Sequence, residues 1–386
     1  MSKKPRFKEQ EHKYSAANIK KLDLREHVRH RPGMYVGGID KKALHNVVFE
    51  LIERAITSTS IGYCDRLEIT LLPDNIIKLE DTDTIIPKEL ATGQYALFPH
   101  EQNFLMRDIP LSLWYKRPIF IEDGGHLIHS GLDHVNIMTL CPLGKYMTIM
   151  LCHENQIWKR TYHEGKPHGA LLHYTLNQPQ PDGVSITFQP DFTIFEPNEF
   201  DYDWIRDRCQ TLAYLFPQVT ISLADERVGK EQSEVFHYPD GIRAMVRDLN
   251  RDKSPHHDIL NARKLFNLPK YRDNIVIELA LQYTDSQDTI LRSYVNAMER
   301  VEGGTHIDGF RHALMGYING SNPHPLSWDE TARGLTAIIH ILHSDPQFES
   351  FTTIKLLNPE MFEAIESMMY PLMVDANLRK ARHGRA

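Results

Sequence analysis

Cysteine is scarce: four residues in 386, Cys64, Cys141, Cys152 and Cys209, with no C-x-x-C pair among them. A zinc site or a redox motif has no support, and the four read as reduced thiols in a cytoplasmic protein. Long hydrophobic runs are also missing. No stretch of about 18 apolar residues occurs, so no membrane span is expected. The opening residues MSKKPRFKEQEHK have no apolar stretch behind their basic side chains. They are expected to form a flexible arm rather than a secretory leader. There is no P-loop, Rossmann fingerprint, G-x-S-x-G or Cys/His nucleophile pattern, so the common motif-bearing enzyme classes are set aside. Histidine is plentiful, with 21 residues, yet scattered and without H-E-x-x-H spacing. Solvated or hydrogen-bonded histidines are the favoured reading, and no metal site is expected.

What is present is globular. Hydrophobic residues make up 41% and charged residues 25% of the chain, a balance that supports sizeable cores in two or three domains. Lysine plus arginine number 44 against 51 acidic residues, a net charge of −7. That argues against a dominant phosphate-binding surface and leaves room for a local basic patch.

Apolar residues at helical spacing, Leu44, Val47, Val48, Leu51, Ile52, Ala55 and Ile56, predict a helix over 43–59. Leu67–Leu72 and Ile76–Leu79 read as a hairpin turned at Pro73-Asp74-Asn75. Residues 87–134 lack a clear period and read as a long loop region. Strands are expected at 146–152, 157–162, LLHYTL and VSITFQP, then a helix at 203–216 and a strand at 218–223 that closes a first unit. A second unit begins near Tyr238 with the helix GIRAMVRDLNR. It continues through the strands NIVIELALQYT and ILRSYVNAM, the helix HIDGFRHALMGYI and the wholly apolar strand candidate TARGLTAIIHILH. Two helices, near 359–374 and in the basic tail, end it. The expected architecture is two α/β sandwiches, each a mixed sheet with helices on one face.

Two strings carry a family resemblance. One is Arg31-Pro32-Gly33-Met34-Tyr35-Val36-Gly37, preceded by Tyr14-Ser15-Ala16-Ala17-Asn18-Ile19. The other runs from Glu302-Gly303-Gly304-Thr305-His306 to Arg311. From the residues alone, Pro32-Gly33 is a tight turn, and Gly303-Gly304 permits backbone closed to other residues. Together, at this separation, they resemble the N-terminal half of the B subunit of DNA gyrase and topoisomerase IV. The resemblance runs from Tyr14 to the end of the chain. It implies an α/β (α+β) chain: a GHKL-type mixed-sheet sandwich over 14–237, then a transducer domain of the ribosomal S5 type over 238–386, after an arm at 1–13.

The resemblance also implies a site. Phe49-Glu50-Leu51-Ile52-Glu53-Arg54-Ala55 matches the family's F-E-x-x-D-N-A helix, which puts Glu50 at the general-base position. The plain alternative is a surface glutamate. Arg54 stands where the family's magnesium-bearing asparagine would be. Magnesium wants oxygen ligands, so metal binding is disfavoured, whereas a guanidinium suits a phosphate. Arg54 also sits at i+4 from Glu50, the spacing of a helix-stabilising ion pair. Asp81 matches the adenine-binding aspartate, with Ile86 and Pro87 as an apolar wall, and the helping threonine becomes Val184; a turn aspartate is the equal alternative. Gly131-Leu132-Asp133-His134-Val135-Asn136 matches the phosphate lid G-L-H-G-V-G, with Gly131 kept, two glycines lost and Pro142 set in the helix that follows. Thr353 replaces the transducer lysine, and Lys355 is not expected to reach a phosphate. Tyr14 and Ile19 match the arm that reaches the neighbouring subunit.

ATP is the implied ligand, with little or no turnover. The implied partners are a second copy or a topoisomerase-related protein, with DNA contacted indirectly and no membrane. No acidic E-G-D or D-x-D cluster with TOPRIM context is found, so DNA-cleaving chemistry is not expected in this chain. The alternatives are an ATP-hydrolysing subunit of a split topoisomerase, or a repurposed DNA-binding module whose cue is the basic tail Arg379–Arg385.

Overall fold

Asp23 opens the described fold. Its carboxylate accepts the Glu26 N–H at 2.7 Å and caps the helix α1 (Leu24–His30). The computed structural model describes residues 22–59, 65–82, 119–120, 127–128, 137–153, 155–268, 273–320, 322–343, 346–349 and 355–381. After α1, the first string makes a single turn, α2 (Gly33–Val36). The Asn46 amide donates to the Val36 carbonyl at 2.9 Å and holds this turn on the next helix, α3 (Lys41–Thr59). The expected α3 stripe from Leu44 to Ile56 is at most 3% exposed throughout, because it faces the first sheet.

β1 (Arg66–Leu72) and β2 (Ile76–Thr82) form the expected antiparallel hairpin. β3 (Ile119–Phe120) and β4 (Leu127–Ile128) pair within the stretch read as loop. α4 (Ile137–Leu140) passes into a 3-10 turn at Cys141–Leu143, so the α-helix stops beside Pro142 as that residue demands. Then come β5 (Gly144–His153), β6 (Gln156–His163), β7 (Lys166–Thr175), β8 (Gly183–Pro190), α5 (Tyr202–Leu215), β9 (Thr220–Asp225) and β10 (Gln232–Phe236). The sheet has eight strands in the order β10-β9-β1-β2-β8-β5-β6-β7, and β9 runs parallel to β1. β10 extends it beyond the strand read as its last. QSEVF is largely exposed at the sheet edge, so it carries little apolar signal.

The second sheet follows α6 (Ile242–Leu249). Its strands are β11 (Leu260–Leu268), β12 (Asp273–Tyr283), β13 (Ile290–Val295), β14 (Met298–Glu299) and β15 (Leu335–His343), ordered β11-β12-β15-β13-β14. α7 (Thr305–Asn319), α8 (Trp328–Ala332), α9 (Glu360–Asp375) and α10 (Leu378–Ala381) complete the described elements. Leu335, Ala337, Ile339 and Ile341 alternate into one core with Phe310, Leu314, Ile365 and Met369 of α7 and α9.

Two expectations need correction. Helices do not cover one face of this sheet alone: Ile338 and Ala280 belong to the other core, with Met245 and Val246 of α6 and Phe216 after α5. β15 is therefore buried on both sides, which is why its sequence is apolar without alternation. The TARG opening, residues 331–334, is not strand. Ser327 and Glu330 form a reciprocal capping box, and Thr331-Ala332 end α8.

The second string is a backbone clamp. Gly303 accepts the Leu356 N–H at 2.9 Å, and the Thr305 N–H donates to Leu356 at 3.0 Å. Gly303 and Gly304 hold φ of 68° and 133°, and a Cβ on Gly304 would collide with the Leu356 carbonyl. Both glycines are therefore required by the fold itself.

Candidate nucleotide pocket and its junction with the second sheet

Asp81 lies near the end of β2, 3% exposed and directly opposite Val184 of β8. Its Oδ1 accepts the Val184 backbone N–H at 2.7 Å. The aspartate and the residue expected to support it are thus brought together. Support comes from the main chain of Val184, which a hydroxyl-free side chain leaves intact. The hydrogen bond fixes the direction of a buried carboxylate.

Glu50 lies on α3, half-buried, above the sheet that holds Asp81. Arg54 is four residues further along the same helix, and its side chain lies outside the described residues, as does its expected pairing with Glu50. Tyr14, Ile19, Ile86, Pro87, Gly131 and Thr353 also lie outside them. Lys355 is described, with its Nζ 4.0 Å from a carboxylate oxygen of Glu349.

A buried, charged junction lies between α3, α5 and the β13–β14 turn. Arg208 of α5 makes an ion pair with Glu53 of α3, with side-chain exposures of 14% and 10%. The same Nη2 donates to the Ala297 carbonyl at 2.9 Å and lies 3.6 Å from the Met298 sulfur. Its guanidinium carbon stands 6.0 Å from the Phe49 ring. Arg300, 4% exposed, places its guanidinium 4.2 Å from the Phe348 ring. Burial pushes its pKa down to about 10, while the Glu53 carboxylate works the other way. His306 is wholly buried, and burial, reinforced by the Arg300 charge, pushes it down to about 3.

Sequence reasoning missed this junction. One signal was available: Arg208 sits between Ile205 and Leu212, on the face of α5 that buries Cys209. A charge on an apolar helical stripe calls for a partner. The partner is 155 positions away in sequence and has no local signature.

Comparisons with known proteins converge on one family. The family model described as DNA gyrase B matches residues 241–376. The DNA gyrase B protein of Archaeoglobus fulgidus is 31% identical over 366 residues, 92% of this chain and 55% of that one. The crystal structure of the B-subunit of DNA gyrase from Myxococcus xanthus superposes with a TM-score of 0.73 at 25% identity, covering 94% of this chain and 99% of that chain. This chain is a gyrase B relative, matched over the N-terminal ATPase and transducer region of that protein. The 43K ATPase domain of Thermus thermophilus gyrase B, solved with an aminocoumarin, has the same fold: TM-score 0.71 at 23% identity, covering 93% of this chain and 92% of that one. The chain spans about half the length of the curated relatives it matches.

A guanidinium, which Arg54 carries at the position expected from the resemblance, has five donors and no lone pair to offer a cation. Among the described residues no group of three or more His, Cys, Asp or Glu side chains is placed to hold a metal.

Proposed function

We propose that this gyrase-B-like chain is a nucleotide-responsive module that hydrolyses ATP weakly or not at all, and that dimerises or docks on a topoisomerase-related partner. The observation that carries the reading is the pairing of a buried, oriented Asp81 with a base helix that continues Glu50-Leu51-Ile52-Glu53-Arg54. Asp81 supports adenine recognition, with Ile86 and Pro87 as its apolar wall. Glu50 retains the position of a base. Arg54 brings positive charge toward the phosphates where a metal would otherwise be held, and Gly131 is the retained lid glycine. The transition-state charge then lacks metal, lid and lysine. Each such preorganised contact is worth about 10²–10³ in turnover, although parts of one site act as a unit.

The partner reading rests on the Tyr14 and Ile19 arm positions. Removing residues 1–20 should shift the association state in sedimentation, and an intact chain that stays monomeric at high concentration, with and without nucleotide, would remove it. DNA enters through the partner, and a cytoplasmic setting follows.

A second reading, an ATP-hydrolysing subunit of a split topoisomerase, is favoured by the retention of Glu50 and Asp81. Binding of ATP measured with and without magnesium, alongside phosphate release, decides between the two. Magnesium-independent binding without release supports the first. Magnesium-dependent release well above a Glu50→Ala control supports the second.

A further inference from the structure

We infer that Arg208 is a positioning residue that transmits the state of the nucleotide pocket to the second sheet. The inference rests on the nucleotide reading above. Arg208 touches Phe49 and Glu53, which bracket Glu50 and stand one helical turn apart on α3. Its grip therefore ties the helix that carries Glu50 and Arg54 to α5.

The same guanidinium holds the Ala297 carbonyl in the turn between β13 and β14. That turn is fastened to the next strand. Asn296 accepts the His343 N–H at 3.0 Å and donates to the His343 carbonyl at 3.2 Å. His343 ends β15, and its Nε2 lies 3.4 Å from Glu360 Oε1. Asn358 donates to that same carboxylate oxygen at 2.8 Å and accepts the Gln347 N–H at 2.6 Å.

A continuous chain of hydrogen bonds and ion pairs thus runs from α3 to both ends of the segment that holds Thr353. Arg300 adds a parallel tie, lying in the field of Glu53 and over Phe348. In sequence, Thr353 stands where the family has its phosphate-contacting lysine. A guanidinium bound at once to the base helix and to the second sheet supplies the link. Such a connected network is what coupling between sites requires.

The test uses the full chain, a non-hydrolysable ATP analogue, titration calorimetry for affinity, and hydrogen exchange read at residues 290–300 and 346–357. The analogue should raise protection in the wild type about five- to tenfold, the range of ordinary site-to-site coupling. Arg208→Met should bind within about threefold of wild type yet lose this response, measured against its own nucleotide-free state, and Arg208→Lys should keep part of it. Should Arg208→Met fold poorly because Glu53 has lost this guanidinium, the double variant E53Q/R208M removes both charges together and must lose the response equally. A wild-type response in either variant, or wild-type binding with no change at the second sheet, overturns the inference alone. No binding by the wild type overturns the nucleotide reading, and the inference with it.

Discussion

Two glycine-bearing strings of this chain have had different fates. At Gly303-Gly304 both glycines are present, and the structure shows the reason: both hold positive φ, and a Cβ would press on the Ile307 side chain at Gly303 and into the Leu356 backbone at Gly304. In the run proposed as the phosphate lid, Gly131 is kept, His134 and Asn136 take the places of the family's other two glycines, and Asp133 adds a negative charge. The first string serves the fold's own hydrogen bonds. The second would serve a polyanion, which successive N–H groups must approach without obstruction. On the proposed lid assignment, the chain keeps glycine where folding demands it and not where phosphate grip would. On that proposal architecture and hydrolytic chemistry are separable, and each can be attacked on its own.

The largest effect should come from the clamp. Gly304→Ala would force a side chain into the Leu356 carbonyl at a φ of 133°, and should cost about 4 kcal/mol or prevent folding. Urea unfolding of the two proteins measures this. A loss under about 1 kcal/mol would mean that the clamp yields, and the contrast between the two strings would lose its structural half.

Next is the charged junction. Removing Arg208 takes from the buried Glu53 carboxylate the guanidinium it pairs with. Arg208→Met should therefore cost about 3 kcal/mol, whereas E53Q/R208M should cost clearly less. A double variant as unstable as the sum of its parts would show that the two side chains act independently.

The contrast also explains what could be read from sequence. α3 was legible because seven apolar residues repeat at one period and all face one core. β12 and β15 were legible because strands covered on both sides read as apolar runs. β11 was not: LNARKLFNL exposes Asn261, Arg263 and Lys264 on an edge strand, so its partner β12 supplies the order that its own pattern does not. The α8 capping box was present as Ser327-Trp328-Asp329-Glu330 and was outweighed by the apolar run that follows. Asp81 was legible through its motif. The Glu53–Arg208 pair is a product of tertiary packing.

A smaller and more graded effect should follow pH. His306, in the clamp string, is held down to about 3 by burial and by the Arg300 charge, and burial also lowers His45 and His257 below their ordinary 6.5. Folded pKa values below the unfolded ones mean that the unfolded chain takes up these protons first. Their contribution is complete above about pH 6.5. It is lost progressively as pH falls from there toward about 3 for His306, at no more than about 1.4 kcal/mol per unit for each histidine. His306→Asn should flatten the acid limb of a plot of stability against pH. An unchanged slope would mean that His306 is not the group being protonated.

The smallest expected change in turnover is the one aimed at the lid side of the comparison. Arg54→Asn returns an oxygen donor to the helix position where magnesium would be held. It also removes a cation at i+4 from Glu50, the spacing that favours an ion pair. The variant should therefore bind nucleotide more tightly in the presence of magnesium than in its absence, a difference the natural chain should lack. Turnover should stay near that of Glu50→Ala, because Asp133, His134 and Asn136 still occupy the lid run and Thr353 still stands at the lysine position. Phosphate release and magnesium-dependent calorimetry on the two variants separate these terms. Strong, magnesium-dependent turnover in Arg54→Asn would show that one residue had silenced the site, and that the lid changes leave phosphate grip intact. The two glycine strings would then differ in sequence without differing in what the chain has kept.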